Sequence, residues 1–150
     1  MLRQMNPHAA GIDVGSEWLY AAQVGGPVEQ YGTVSRELER LAAALSHAGV
    51  RTVALEATGV YWLALYEVLE AEGIEVCVVN GAHVKSLPGR KSDVADCQWL
   101  AELHSYGLLR ASFVPPAAIR RLRDYQRLRA DHIQLGSAHI QHMQKAMERM

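Results

Sequence analysis

The sequence predicts an α/β fold in which a mixed sheet is flanked by helices and followed by a long C-terminal helix. Over residues 1–115, short apolar runs alternate with amphipathic segments in the order βββαβαβα, and strand–helix–strand units after a meander are typical of a mixed sheet. From residue 117 onward, apolar side chains instead recur at alternating steps of three and four residues, which is a heptad pattern.

The first three elements are predicted to be strands of an antiparallel meander. Residues 8–15 are mostly apolar and end at Gly15, as in a central strand. Residues 18–24 form a second strand, and residues 28–34, which alternate in character, form a third. The Gly-Gly-Pro sequence of residues 25–27 favours a hairpin-type turn between these two strands.

Helices and strands alternate in the next part of the chain. Ser35 is placed to cap a helix whose apolar residues share one face. Ser92 or Asp93 is placed to cap a later helix in the same way. The predicted elements are helix 36–47, strand 51–57, helix 59–72, strand 74–79, a short helix with a loop over 80–91, helix 93–106 and an irregular link over 107–116.

The composition narrows the class of protein. With 150 residues and 49% hydrophobic content, the chain is one globular domain or a domain with an appendage. Cys77 and Cys97 form neither a disulfide framework nor a zinc pattern, which fits a reducing cytoplasm. No stretch approaches the roughly 18 consecutive apolar residues of a membrane span. Residues 1–115 hold 8 basic against 13 acidic residues and residues 116–150 hold 7 against 3, so an acidic body precedes a basic tail.

Four acidic residues suggest one metal site. Asp13 and Glu56 lie in apolar runs that predict buried strands, where an acid is costly unless it is paired or bound to a cation. Asp93 and Asp96 are three residues apart, so they share a face if they lie on a helix. Taken alone, this last pair is also typical of an ordinary helix start. Carboxylates together suit hard cations such as Mg²⁺ or Mn²⁺, which can activate the attacking oxygen in phosphodiester cleavage.

Three motifs closely resemble the DEDD transposases of the insertion-sequence 110 family. They are Gly-Ile-Asp-Val-Gly at residues 11–15, Leu-Glu-Ala-Thr-Gly-Val-Tyr-Trp at residues 55–62 and Lys-Ser-Asp-Val-Ala-Asp at residues 91–96. The resemblance covers all 150 residues, since Arg-Arg-Leu-Arg at residues 120–123 resembles the start of the coiled-coil segment in that family. It implies a RuvC-like, RNase H-like catalytic domain over residues 1–115 and a coiled-coil segment over residues 116–150.

The same resemblance implies an activity and a site. Asp13, Glu56, Asp93 and Asp96 would be the metal-binding catalytic tetrad, and Mg²⁺ the cofactor of a recombinase that moves an insertion sequence in DNA in a bacterial or archaeal cell. Members of the family are also described as guided by a bridge RNA and as working in oligomers. A further C-terminal domain, which contributes a serine nucleophile in the family, is missing from these 150 residues, so we expect the chain alone to bind metal and nucleic acid without completing recombination.

Basic residues near the acids and in the tail are candidates for phosphate contacts. These residues form two groups, and each group is also compatible with an ordinary solvated surface. The denser group lies at the start of the C-terminal helix, where the heptad pattern is equally compatible with a coiled coil and with a helix that packs on its own domain. We expect this helix to continue beyond residue 150. The candidate nucleic-acid-binding residues are Lys85, Arg90 and Lys91 beside the acids, and Arg120, Arg121 and Arg123 in the tail.

Three other functions remain open from the sequence. A junction resolvase would use the same fold and would prefer four-way DNA junctions. A non-catalytic module would use the basic heptad tail for oligomerisation or nucleic-acid binding, and that binding would survive the loss of Asp13. Residues 11–16 also resemble the first phosphate loop of actin-like ATPases, but these proteins need a second domain and a second glycine-rich loop, neither of which the chain contains.

Overall fold

The computed structural model describes residues 3–57, 59–88 and 95–150. These residues belong to two compact units, Met1–Phe113 and Val114–Met150. The first unit holds a five-stranded sheet and four helices among its described residues, and the second holds one long helix. The elements are β1 (Ala9–Val14), β2 (Trp18–Gln23), β3 (Glu29–Gly32), α1 (Ser35–His47), β4 (Thr52–Glu56), α2 (Trp62–Ala71), β5 (Glu75–Val79), α3 (Gly81–Ser86), α4 (Asp96–Ser105) and α5 (Ala117–Met147).

The sheet has the strand order β3-β2-β1-β4-β5. β1 pairs antiparallel with β2, which pairs antiparallel with β3, so the predicted meander is confirmed. β4 pairs parallel with β1 on its other side, and β5 pairs parallel with β4. The mixed sheet predicted from the element order is therefore confirmed, and it brings the carboxyl ends of β1, β4 and β5 to the same edge.

Helix α4 crosses β1 at Gly11. A Cβ atom on Gly11 would overlap the carbonyl oxygen of Cys97 and would lie 2.8 Å from the Cβ of Leu100. Only glycine therefore allows the backbones of the strand and the helix to approach this closely. The core beneath α4 is made by apolar side chains of the sheet and the helices, namely Ala54, Val79, Val84, Trp99, Leu100 and Leu103.

The N-terminal segment closes the other end of α4. The backbone N–H groups of Met5 and Asn6 donate to the carbonyl of Ser105 at 2.8 and 2.9 Å, and the Asn6 side chain donates to the carbonyl of His104 at 2.9 Å. These bonds satisfy carbonyls that have no partner within the helix. His104 is itself buried, and its Nε2 shares a 2.7 Å hydrogen bond with the hydroxyl of Thr52 on β4. The C-terminal turn of α4 is thus held to both the sheet and the N-terminal segment.

Two helices begin later than predicted. Helix α2 begins at Trp62 instead of residue 59, because Gly59 has a φ of +57° and the helix cannot start until the chain has left this left-handed turn. Helix α4 begins at Asp96, and its N-cap is Ala95 in an extended conformation, with a ψ of 148°. The predicted caps of this helix, Ser92 and Asp93, lie outside the described part of the chain.

Helix α5 is a continuous helix of 31 residues. Its apolar side chains are exposed, among them Leu122, Ile133, Ile140 and Met143, which belong to the predicted heptad pattern. Arg120 is the residue of α5 that is buried. A helix with this much exposed apolar surface is suited to pairing with another helix.

Candidate active site

Asp13 lies on the face of the sheet that α4 covers. Gly11 marks this face, because its missing Cβ would meet the backbone of α4. Side chains two residues apart on a strand point to the same side, so Asp13 shares the face of Gly11. Asp13 is the next-to-last residue of β1 and is half-buried in a strand whose other residues are buried. The strand therefore presents one carboxylate at its carboxyl end, beside the start of α4.

Glu56 reaches the same place from the neighbouring strand. The register of β1 and β4 pairs Gly11 with Ala54 and Ile12 with Leu55, so the next residues along the two strands, Asp13 and Glu56, lie side by side. Adjacent strands are roughly 4.8 Å apart. The parallel pairing predicted from the element order thus brings these two acids together at one edge of the sheet.

Asp96 is the third acid of this group. It is the first residue of α4 and is exposed. Burial raises the pKa of Asp13 above its ordinary value, and the nearby carboxylate of Asp96 raises that pKa further. Asp13 and Asp96 are far apart in sequence but interact through space. They do so because α4 crosses β1 at Gly11, so that Asp96 in the first turn of α4 lies near Asp13.

Gly81 fixes the space around the Glu56 carboxylate. It is the first residue of α3, and a Cβ atom at this position would overlap Oε1 of Glu56 and lie 2.6 Å from its carboxyl carbon. The side chain of Asn80 caps α3 by accepting a 2.9 Å hydrogen bond from the N–H of Ala82, which holds this turn in place. Glycine at residue 81 therefore leaves the volume that the carboxylate occupies.

The fourth predicted acid, Asp93, lies outside the described residues. Within residues 3–57, 59–88 and 95–150, no group of three or more His, Cys, Asp or Glu side chains is arranged to hold a metal ion. Asp13, Glu56 and Asp96 lie at the same end of the sheet, but the complete set of metal ligands stays a prediction.

The predicted basic residues differ in their surroundings. Lys85 is exposed in the last turn of α3, and Arg121 and Arg123 are exposed on α5. Arg120 is buried, and its Nη1 donates a 2.8 Å hydrogen bond to the carbonyl of Pro115, just before α5 begins. Arg120 is thus less accessible than Arg121 and Arg123, and its role in nucleic-acid binding stays a prediction. The other two candidates, Arg90 and Lys91, lie outside the described residues.

The sequence does not indicate the packing role of two site glycines. Gly11 belongs to an apolar strand and to the first motif, and although a glycine inside a strand often marks close approach of another backbone, the sequence does not show which backbone that is. Gly81 follows Asn80 directly, and an asparagine before a short helix is a cap signal, but nothing in the sequence indicates that Glu56 fills the space beside it. Both glycines act by leaving out a side chain, and such an effect becomes visible only when the packing is known.

A family model matches most of the chain. The model of the DEDD transposases of the insertion-sequence 110 family, described as a transposase, matches residues 10–150. The chain belongs to this family. The motifs around Asp13, Glu56 and Asp96 all lie within the matched residues, and membership supports an enzyme of the nuclease and recombinase type. A comparison with curated proteins finds no match.

The fold is similar to that of a solved structure. The structure of RuvC from T. thermophilus in complex with a Holliday junction substrate has a TM-score of 0.50 and 18% sequence identity, and the match covers 69% of this chain and 99% of that chain. A second structure of Thermus thermophilus RuvC matches with a TM-score of 0.43 and 19% identity over 73% of this chain and 84% of that one. The first comparison shows that this family member has a RuvC-like, RNase H-like fold, as the resemblance implied.

A helix that spans a membrane must be both long and apolar. No helix in the part of the chain that the structure describes meets both requirements.

Proposed function

We propose that this transposase cleaves and transfers DNA strands with a divalent cation, Mg²⁺ or Mn²⁺, held by Asp13, Glu56, Asp93 and Asp96. One observation carries the proposal. Asp13 and Glu56 lie side by side at the carboxyl ends of two parallel strands, and Asp96 at the start of α4 is close enough to raise the pKa of Asp13. Acids contributed by three separate elements at the same end of a sheet are typical of a functional site.

The chemistry of the acids fits a hard cation. The partial burial of Asp13 and the charge of Asp96 both disfavour the ionised form of Asp13, as its raised pKa indicates. A divalent cation would offset this repulsion and is bound preferentially by carboxylate oxygens. Gly81 supports the same assignment, because it leaves room for the Glu56 carboxylate at the end of β4.

Each acid has a role that follows from its position. Asp13 lies on β1, next to the strand of Glu56 and near Asp96 of α4, and would be the ligand shared by the whole group, while Glu56 and Asp96 would supply further ligands. Asp93 would complete the set and help to orient the attacking oxygen. The cation, when bound, lowers the pKa of that oxygen and stabilises negative charge on the phosphate and the leaving oxygen.

Positive charge for the DNA backbone would come from two places. Lys85 is exposed on α3, which begins beside Glu56, and Arg90 and Lys91 follow it in the chain. Arg121 and Arg123 are exposed on α5 and would bind further phosphates of the DNA. Such contacts position the DNA and do not by themselves select a sequence.

Partners of the intact recombinase are part of the proposal. We assign DNA as the substrate, a bridge RNA as the source of target choice, and an oligomer as the active form, on the basis of family membership. The exposed apolar side chains of α5 support the oligomer, because they would be covered in a coiled coil.

Nicking of supercoiled plasmid DNA in Mn²⁺ tests the proposal. The wild-type chain should nick the plasmid, whereas Asp13→Asn, Glu56→Gln and Asp96→Asn should reduce nicking to the level seen in EDTA. Phe113→Ala, which removes an exposed aromatic ring outside the site, is the matched control and should keep wild-type activity. Wild-type nicking by Asp96→Asn would overturn the assignment of that residue, and preferential cleavage of four-way junctions over duplex DNA would identify a resolvase instead.

A further inference from the structure

Two aromatic side chains flank the acids on the same face of the sheet. In the register of β1 and β2, Tyr20 lies directly opposite Asp13, so the two side chains share the face that α4 covers. Trp18 is two residues before Tyr20 on β2 and points to the same side. This aromatic pair, Trp18 and Tyr20, therefore continues the candidate active site away from Glu56.

The rings of the aromatic pair are open to solvent. Trp18 is 50% exposed and Tyr20 is 38% exposed, whereas Leu19 between them is 1% exposed. Across the next strand, Trp18 pairs with Gly32, which has no side chain to cover the indole. The structure gives neither ring a stacking or cation–π partner in the part of the chain it describes. Large rings left uncovered beside a polar site are typical of a binding surface.

The charge of this surface distinguishes between two possible ligand groups, a phosphate and a nucleobase. Residues 15–34, which include β2 and β3, contain no lysine or arginine, and Glu17 beside Trp18 is exposed and acidic. These two strands therefore supply no cation to a phosphate. A nucleobase needs none, because every base offers a flat face that stacks on an aromatic side chain.

Spacing agrees with a base as the ligand. Side chains two residues apart on a strand are separated by roughly 7 Å, which is about twice the thickness of an aromatic ring system. One base can therefore be held beside or between the two rings while the adjoining phosphate lies at Asp13.

The geometry points to Trp18 and Tyr20 as a stacking platform for an unpaired nucleobase next to the phosphate that the acids act on. This inference rests on the proposed function, because the acids set the position of the phosphate. It assigns single-stranded or locally opened DNA as the form of substrate at the site. The platform holds the base, and Asp13 on the neighbouring strand faces the phosphate of the same nucleotide.

Binding without cleavage tests the platform. Fluorescence anisotropy in Ca²⁺ would measure the affinity of the chain for fluorescein-labelled oligothymidylate and for an abasic oligonucleotide of the same length. The wild type should prefer the thymidylate, and Trp18→Ala or Tyr20→Ala should weaken only that binding, by about 5-fold to 100-fold. Trp18→Phe and Tyr20→Phe should keep most of the preference, and Phe113→Ala is the control for an exposed ring elsewhere.

Trp18→Leu keeps apolar bulk without an aromatic ring. Weaker thymidylate binding by this variant therefore indicates lost stacking and not lost folding. In addition, oligothymidylate should quench the tryptophan fluorescence of the wild type, and Trp18→Phe should remove this quenching while Trp62 and Trp99 still report the folded state.

Equal losses on thymidylate and abasic DNA, or no loss on either, would overturn the platform. A change in oligomeric mass in Trp18→Ala with unchanged DNA affinity would also overturn it and would assign the two rings to a protein interface. Failure of the platform is distinct from failure of the acids. If Asp13→Asn loses nicking while Trp18→Ala binds both oligonucleotides normally, the proposed function stands without the platform. If instead Asp13→Asn keeps nicking while Trp18→Ala loses its preference for the thymidylate, base stacking is supported and the proposed catalytic role of the acids is contradicted.

Discussion

Asp13 on β1 and Asp96 on α4 form an acidic pair at the end of the sheet. Burial raises the pKa of Asp13, and the charge of Asp96 raises it further. The two acids are close because Gly11 lets the backbone of α4 pass directly over the backbone of β1. The first turn of the helix therefore lies beside the carboxyl end of the strand. Without a cation this arrangement costs stability, and proteins retain such a cost mainly at functional sites.

The first prediction concerns the stability of the metal-free protein. Asp13→Asn should raise the melting temperature at neutral pH in EDTA, because it removes a charge that burial and Asp96 disfavour. The folded-state pKa of Asp13 lies above its unfolded value, so the contribution of Asp13 is fully present below 3.8 and is lost as the pH rises through the folded pKa. The stabilisation of Asp13→Asn relative to the wild type should therefore vanish below pH 3.8.

Thermal unfolding followed by circular dichroism across this pH range is the measurement. Glu17→Gln, which removes an exposed acid from the turn after β1, is the control and should leave the melting temperature nearly unchanged. A lower melting temperature for Asp13→Asn at neutral pH would contradict the account.

The second prediction concerns the crossing of α4 over β1. Gly11→Ala should destabilise the fold by about 1–3 kcal/mol, because the added Cβ meets the backbone of α4 and the helix must move. Urea denaturation measures this change. Gly136→Ala is the matched control, since a Cβ there meets nothing within 4 Å in the middle of α5 and should increase helix stability by about 1 kcal/mol.

The third prediction concerns the space beside Glu56. Gly81→Ala should leave the fold largely intact, because the added Cβ meets the end of a flexible side chain, yet it should displace the carboxylate and reduce Mn²⁺-dependent nicking. Plasmid nicking and urea denaturation of the same preparation separate the two effects. If nicking and metal affinity are both unchanged in Gly81→Ala, Gly81 does not position Glu56 for metal binding.

The fourth prediction concerns the buried His104. Burial lowers the pKa of His104, with a smaller opposing effect from Glu75, so the neutral ring is favoured in the folded state. Its contribution to stability is present above the unfolded value of 6.5 and is lost as the pH falls through the folded pKa. Urea denaturation at a series of mildly acidic pH values should show this loss in the wild type and a flatter profile in His104→Gln. His47→Gln, at an exposed position on α1, should keep the wild-type profile.

The fifth prediction concerns DNA binding by α5. Arg121→Ala and Arg123→Ala should each weaken binding to duplex DNA of any sequence and reduce the slope of log Kd against log salt by about 1. Anisotropy titrations at several salt concentrations give this slope. Arg36→Ala, which removes an exposed arginine from α1, should leave it unchanged, and an equal effect of all three variants would indicate only a loss of net charge.

Much of the fold followed from local pattern. The strand periodicity and the turn residues between β2 and β3 predicted the meander, and alternation of strands and helices predicted the parallel β4 beside β1. The meander pairs strands that are neighbours in sequence, and strands joined by a helix usually run parallel in one sheet, so periodicity and these connection rules are sufficient to predict both features. Asp13 and Glu56 could be paired at one edge of the sheet for the same reason.

The remaining features depend on contacts between distant residues. The sequence predicts a helix that begins at residue 93, but Ala95 takes an extended conformation and α4 begins at Asp96. Arg120 looked like its exposed neighbours in sequence, yet it is buried against the carbonyl of Pro115. These outcomes are set by packing and backbone conformation, which composition and periodicity do not encode.

Thermal unfolding in Mn²⁺ with an oligonucleotide duplex present tests the metal site most directly. A cation that binds only the folded state raises the melting temperature by mass action. The wild type should melt higher in Mn²⁺ than in EDTA, and Asp13→Asn, Glu56→Gln and Asp96→Asn should lose most of this increase. The same increase in the wild type and in all three variants would show that the acids do not hold the cation, and would contradict the proposed site.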